Sequence, residues 1–263
     1  MTPGHISLES LVAHRGYAAR YPENTRESLA AAVRIGARYV EYDVQLSADG
    51  VPVLLHDATL DRTAGRPGSV FDLAAGELKR IEVNETGRLG AAFSGVRIPL
   101  LQEVATDIGQ WPGVTCFVEL KVESLCRFGV GFMVDQVLGA LAPVRDACVV
   151  ISFSAEAVLE ARRRSGCAIG WVVQHWSDES RSMAERIAPQ YLFCDHVDVP
   201  PPPEPLWAGP WRWVVYEVDD AALAQALVRR GVSLLETMDL EELAGAAAEV
   251  SAASSAVSPS DPA

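Results

Sequence analysis

Between Leu11 and Thr237 the chain alternates short β-branched and apolar runs with longer stretches whose apolar residues recur every three or four positions. The short runs predict strands at Leu11–His14, Tyr39–Val44, Thr115–Leu120, Ala147–Phe153, Ile169–Val173, Tyr191–Cys194, Trp213–Val218 and Ser233–Glu236. Several are apolar throughout, as strands covered on both faces must be. Helical periodicity lies between most of them, over Glu23–Ile35, Leu101–Ile108, Gly131–Leu141, Glu156–Arg164, Glu179–Ile187 and Ala221–Arg230. In the first helix Leu29, Val33 and Gly36 share a stripe. Asn24 and Glu27 have the spacing of a capping box, which predicts Asn24 as the N-cap. Strands joined mostly by helices, eight of them on this reading, predict an α/β fold, a (β/α)8 TIM barrel rather than an open doubly wound sheet. No glycine-rich phosphate loop follows any strand, which argues against nucleotide binding.

The alternation breaks once. Only Gln45 to Gly50 separates Tyr39–Val44 from the run Val51–His56, too short for a parallel crossover, so the two runs should pair as an antiparallel hairpin. Asp49-Gly50 is a turn signal, and a turn centred on Ala48-Asp49 would set Glu41 opposite His56. Residues of about 58–112 hold one clear helix among many Gly, Arg and Asp residues, and predict a small cap inserted after the second strand. The whole of residues 1–243 is expected to form one barrel domain, followed by a disordered Ala/Ser/Pro-rich tail over 244–263.

Charge narrows the partners. With 22 Lys and Arg against 35 Asp and Glu, the 263-residue chain carries a formal charge of −13, which repels nucleic acid and anionic membranes. An anionic substrate would need a bound cation or a local Arg/Lys cluster to overcome that field. No apolar run approaches the roughly 20 residues a bilayer span requires, so no stable membrane insertion is expected. The 5 cysteines form no CxxC pair, and three sit in apolar strand-like runs, as free buried thiols do. The start of the chain lacks the pattern of a signal peptide, and the expected location is the cytoplasm. Oligomeric state is not legible.

Active sites of such barrels lie at the C-terminal ends of the strands. There the sequence places His14 and Arg15 after the first strand, Glu41 and Asp43 on the second, and Glu119 and Lys121 on the third. Glu41-x-Asp43 and Glu119-x-Lys121 use the period of two, so both members of each pair face one way, while Tyr42, Val44, Val118 and Leu120 pack outward. His56 returns to the same rim on the hairpin. Three converging carboxylates require a compensating cation, and oxygen-only ligands suit Mg²⁺ or Ca²⁺. Two histidines beside them can act as acid and base, and Arg15 with Lys121 can clamp a phosphate. Together these point to phosphodiester hydrolysis. His5, His175 and His196 are read as structural, Asp57, Asp61 and Asp72 as loop and capping residues, and Trp207, Trp211 and Trp213 as packing.

The ordered set His14-Arg15-Gly16, Pro22-Glu23-Asn24-Thr25, Glu41-x-Asp43-Val44, Asp49-Gly50, His56-Asp57 and Glu119-Leu120-Lys121 resembles the signature of the glycerophosphodiester phosphodiesterases. The resemblance implies a (β/α)8 barrel with a cap after the second strand, and hydrolysis of glycerophosphodiesters to sn-glycerol 3-phosphate and an alcohol. It implies Glu41, Asp43 and Glu119 as metal ligands, His14 and His56 as the acid/base pair, and Arg15 and Lys121 on the phosphate. It also implies attack by a hydroxyl of the substrate's own glycerol, giving a cyclic phosphate that water opens. Two departures fall on the substrate side. Tyr216-Glu217-Val218-Asp219 stands where many members have Trp-Thr-Val-Asn, and Glu236-Thr237 where many have Thr-Asp. Alternative readings are a lysophospholipase D-like enzyme on acylated substrates and a catalytically silent phosphodiester-binding module.

Overall fold

The computed structural model describes residues 6–247. Nine strands form one sheet: β1 (Leu11–Ala13), β2 (Tyr39–Leu46), β3 (Pro52–Leu54), β4 (Thr115–Leu120), β5 (Cys148–Ser152), β6 (Ala168–Val173), β7 (Tyr191–Asp195), β8 (Arg212–Tyr216) and β9 (Leu234–Thr237). All except β3 are parallel to their neighbours. β1 pairs with both β2 and β9, which closes eight strands into a (β/α)8 barrel.

The alternation of side chains divides the core in two. Val12, Phe117, Val149, Ile151, Val172, Phe193, Val214 and Leu234 fill the barrel interior, while Val40, Tyr42, Val44, Val118, Leu120, Ile169 and Leu235 face the helices outside. Every crossover helix expected from the sequence is present, at Arg26–Arg34, Leu101–Ile108, Val130–Leu141, Ala155–Ser165, Asp178–Ile187 and Ala221–Arg229. Trp176, Trp207, Trp211 and Trp213 pack on one another outside the barrel.

The first helix starts later than the capping-box spacing predicts. Thr25 is its N-cap and accepts a hydrogen bond from the Ser28 N–H at 3.2 Å. Asn24 stands outside the helix at φ 55°, its carboxamide committed elsewhere. β1 feeds this helix through a tight turn in which Gly16 has φ +80°. A Cβ there would lie 2.7 Å from the Ser28 backbone carbon, so only glycine lets the loop pass this close to the helix.

β3 runs antiparallel to β2, as expected, but with Val44 opposite Leu54 and Leu46 opposite Pro52. The turn therefore centres on Asp49 rather than between Ala48 and Asp49, and Glu41 does not face His56. The Ser47 hydroxyl causes this: it bonds Asp49 Oδ1 at 2.6 Å and the Val51 carbonyl at 3.1 Å, closing a one-residue-longer loop.

The segment that follows carries its own small core of Val53, Leu55, Leu60, Val70, Leu78, Ile81, Val83 and Ile98. It contains short helical turns at Asp61–Ala64, Val70–Asp72, Ala75–Leu78 and Thr86–Leu89, where the sequence suggested a nearly helix-free loop. Leu101–Ile108 packs instead on the barrel's outer core. Residues 240–247 are helical, with Ala247 buried and its carbonyl accepting from Gln225 Nε2 at 3.0 Å, so 244–247 are not part of a tail. The expected disorder over 248–263 lies outside the described residues.

Candidate active site

His14, Arg15, Asp43, His56, Glu119 and Lys121 all line one cavity of about 190 Å³ at the C-terminal mouth of the barrel. Glu41 lies buried at its edge. The structure thus brings all seven sequence-predicted residues to one place. Ile151, Phe153, Val172, Phe193, Tyr216, Glu217 and Glu236 complete the wall.

Alternation on β2 turns Glu41 and Asp43 inward, and β4 brings Glu119 directly beside Asp43 in register. One carboxylate oxygen from each of the three lies within 4.8 Å of the others. Glu41 Oε2 accepts the Arg15 N–H at 3.0 Å, while Oε1 is buried with no hydrogen-bond partner among the described residues. Burial, reinforced by Asp43, Glu236 and Glu119, pushes the Glu41 carboxyl well above the usual range. An orphaned buried oxygen in a set of hard donors fits a divalent ion.

Asp43 is the most tightly held of the three. Asn24 Nδ2 donates to Oδ2 at 2.8 Å and the Asp43 N–H donates to Asn24 Oδ1 at 2.9 Å. Lys121 Nζ lies 3.2 Å from Oδ1 and Arg15 Nε 3.3 Å from Oδ2. Burial alone would raise its pKa, but Lys121 and Arg15 outweigh burial and hold the carboxyl below the usual range. Lys121 Nζ also donates to Glu119 Oε1 at 2.9 Å, so one ammonium bridges two carboxylates. Burial nonetheless raises the Glu119 carboxyl.

The two histidines differ. His14 follows β1, is 8% exposed, and sits among three carboxylates: Glu217 Oε1 3.4 Å from Nδ1, and Glu236 Oε1 and Glu41 Oε2 3.8 and 3.9 Å from Nε2. Burial and the Arg15 charge nevertheless pull its pKa down to about 3, so the ring is uncharged at neutral pH. His56 is more exposed, and its Nδ1 lies 2.6 Å from Asp57 Oδ1. A carboxylate at that distance takes the Nδ1 N–H as its hydrogen bond, so Nε2 is the nitrogen left to exchange a proton.

Sequence reasoning missed the residues that hold these groups. Asp57 is no simple loop residue: Arg62 Nε donates to its Oδ2 at 2.7 Å. Arg62 also grips Glu23 with two bonds of 2.7 Å, and Glu23 Oε1 accepts from Arg15 Nη1 at 3.2 Å. An unbroken chain of charged bonds therefore runs from His56 through Asp57, Arg62 and Glu23 to Arg15. Glu236 was also missed as a site residue, although its inward phase with Leu234 on β9 was readable. A wider cleft of about 880 Å³ adjoins the cavity at Arg15, between the barrel rim and the inserted segment.

Residues 14–181 match the model of the Glycerophosphoryl diester phosphodiesterase family. The chain belongs to that family. Among curated relatives, Glycerophosphodiester phosphodiesterase 1 of Mus musculus is 40% identical over 112 residues, which cover 43% of this chain and 34% of the mouse protein. A glycerophosphodiester phosphodiesterase of Caldanaerobacter subterraneus is 41% identical over 99 residues, 38% of this chain and 40% of the relative. The matches thus span well under half of these relatives' length. Among solved structures, an Oleispira antarctica phosphodiesterase in complex with the product sn-glycerol-3-phosphate superposes with a TM-score of 0.78 at 24% identity, covering 91% of this chain and 96% of that one. The glycerophosphodiester phosphodiesterase of Thermotoga maritima does so with 0.67 at 23% identity, over 90% and 97%. These likenesses establish the shared barrel. Among the described residues no single helix is long and apolar enough to cross a membrane.

Proposed function

We propose that this chain hydrolyses glycerophosphodiesters to sn-glycerol 3-phosphate and an alcohol, with a divalent cation, Mg²⁺ or Ca²⁺, held by Glu41, Asp43 and Glu119. The observation that carries this reading is the convergence of those three carboxylates, two histidines and two cationic side chains on one cavity. Family membership points the same way. When bound, the ion supplies electrostatic stabilisation of charge building on the phosphoryl oxygens.

The chain's own groups do the rest. Arg15 and Lys121 carry positive charge into the cavity and orient the phosphate. His14, uncharged at neutral pH, takes the proton from the attacking hydroxyl as the new P–O bond forms. His56, with Asp57 on Nδ1, delivers a proton from Nε2 to the departing alkoxide as the old P–O bond breaks. A hydroxyl of the substrate's glycerol as first nucleophile, followed by water on the cyclic phosphate, uses the same pair in reversed roles. The apolar interior layer beneath the cavity keeps bulk water from the reacting atoms. An exposed free thiol at Cys126 suits a reducing compartment and supports action in the cytoplasm.

The test is turnover of sn-glycero-3-phosphocholine or -ethanolamine with added Mg²⁺ or Ca²⁺, abolished by EDTA and by His14→Ala. Full activity in that variant would overturn the assignment. One observation favours a second reading, in which acylated diesters enter: the adjoining cleft has an apolar side at Ala18, Ala19, Leu89, Met238 and Leu243. Comparing lysophosphatidylcholine with its deacylated counterpart separates the two.

A further inference from the structure

Among the described residues, metal-ligating atoms converge in two triads that have only Glu41 in common. The first, Glu41 with Asp43 and Glu119, spans β2 and β4. The second is His14, Glu41 and Glu236, one donor atom from each and all within 4.8 Å of one another. It lies on the other side of Glu41, where β9, β1 and β2 run side by side. Glu236 stands opposite Val12 in register and in phase with Leu234, both of the interior core, so its carboxylate points into the barrel.

The protein leaves this second triad with donor atoms to spare. His14, Glu41 and Glu236 are each more than nine-tenths buried. His14 Nδ1 and Glu41 Oε1 are buried without a hydrogen-bond partner among the described residues. No Lys or Arg nitrogen among those residues comes within 4.0 Å of Glu236, whose near neighbour is His14 Nε2 at 3.8 Å. The same Nε2 lies 3.9 Å from Glu41 Oε2, and both distances are too long for hydrogen bonds. Asp43 and Glu119 are better served, with Lys121 Nζ at 3.2 and 2.9 Å. Two buried carboxylates and an imidazole with no cation beside them are costly, and a divalent ion removes that cost.

The donor set says which ion. Ca²⁺ and Mg²⁺ prefer oxygen alone, whereas one imidazole with two carboxylates suits zinc. Donors on a tetrahedral zinc, with bonds of about 2.1 Å, stand about 3.4 Å apart, so a contraction of about 0.5 Å closes the triad. We propose that His14, Glu41 and Glu236 form a second cation site, which takes Zn²⁺ while the first holds Ca²⁺ or Mg²⁺, and that zinc there silences the enzyme. Glu41 has two oxygens and can serve both ions. With zinc on Nε2 the ring hydrogen resides on Nδ1, and His14 has no lone pair left to accept a proton from the attacking hydroxyl. The site stands on its geometry, and the silencing rests on the phosphodiesterase reading above.

The experiment titrates ZnCl₂ into the Ca²⁺-saturated chain by calorimetry, with both ions counted by equilibrium dialysis. One Zn²⁺ should bind with Ca²⁺ retained, and Glu236→Gln should weaken zinc at least about 10-fold more than it weakens Ca²⁺. Zinc that displaces Ca²⁺, zinc binding that Glu236→Gln leaves unchanged, or both affinities falling together overturns the proposal. An imidazole ¹⁵N spectrum reads the unaltered chain: zinc should shift Nε2 of His14, the signal missing in His14→Gln, and an unmoved His14 overturns the site. Hydrolysis of sn-glycero-3-phosphocholine with Ca²⁺ should fall as zinc reaches its calorimetric half-occupancy. Relative to its own zinc-free rate, Glu236→Gln should need at least about 10-fold more zinc. A rate that bound zinc leaves level or raises overturns the silencing. If the chain turns over no diester with Ca²⁺ alone, the phosphodiesterase reading falls, and the titration and the spectrum still decide the site.

Discussion

Asn24 and Asp43 exchange two hydrogen bonds, side chain to side chain at 2.8 Å and backbone to side chain at 2.9 Å. A residue at the mouth of the first helix thereby fixes the rotamer of a carboxylate on β2. Removing the carboxamide leaves the carboxylate charged but free to turn. Asn24→Ala is expected to weaken Mn²⁺ or Ca²⁺ binding roughly 10- to 100-fold, read by calorimetry. An unchanged affinity would show that Arg15 and Lys121 suffice to hold Asp43.

Thr25 gives the complementary case. As the helix N-cap it should cost about 1 kcal/mol of stability when replaced by alanine, measured by denaturant unfolding, with metal affinity unaltered. If Asn24→Ala and Thr25→Ala instead behave alike, the two roles are not separate.

The buried state of His14 has a signature in pH. Its pKa in the folded chain is pulled down to about 3 by burial and Arg15, against about 6.5 when unfolded. Below about pH 6.5 the unfolded chain takes up a proton that the folded chain refuses, so stability is present above that pH and lost on acidification. Between pH 6 and 4.5, in EDTA, the chain should lose up to about 1.4 kcal/mol per pH unit more than His14→Gln. Parallel pH profiles for the two would mean that His14 titrates normally.

Metal should act in the opposite sense to burial at Glu41. Raising the carboxyl's pKa means that its ionised form opposes folding, a penalty that grows as pH rises through the carboxylate range and that a bound cation removes. Ca²⁺ or Mg²⁺ at 100 times Kd should stabilise the chain by about 2.7 kcal/mol. In thermal melts that gain should vanish in Glu41→Gln. A gain retained there would move the ion to other ligands.

Asp57 holds His56 rather than the substrate. Asp57→Asn should lower kcat about 10- to 100-fold with KM little changed, because the ring loses its fixed tautomer while the cavity keeps its shape. A change confined to KM would place Asp57 in binding.

The barrel was legible because each strand is a short, nearly continuous apolar run and each helix an apolar stripe. Glu41, Asp43, Glu119 and Lys121 were legible because the period of two puts them on the inner face of otherwise apolar strands. What was not legible is what a polar side chain does when two partners compete for it. Asn24 has the spacing of a cap, yet Thr25 caps and Asn24 serves Asp43. Ser47 lengthens the hairpin loop by one residue through its hydroxyl, a choice no hydropathy pattern encodes. The links from Arg62 to Asp57 and Glu23 join residues 5 and 39 positions apart and required coordinates.

His14 stands on the barrel, whereas His56 stands on the hairpin arm that leads into the inserted segment. Three ties moor that arm to the first loop: Arg62 on Glu23, the Glu23 N–H on Glu85, and Arg88 on the carbonyls of Ala18 and Tyr21. The spacing of the two imidazoles is therefore set by how firmly the arm is docked. A nick or a charge reversal among these anchors would leave a folded cylinder with one of the two proposed acid/base groups adrift.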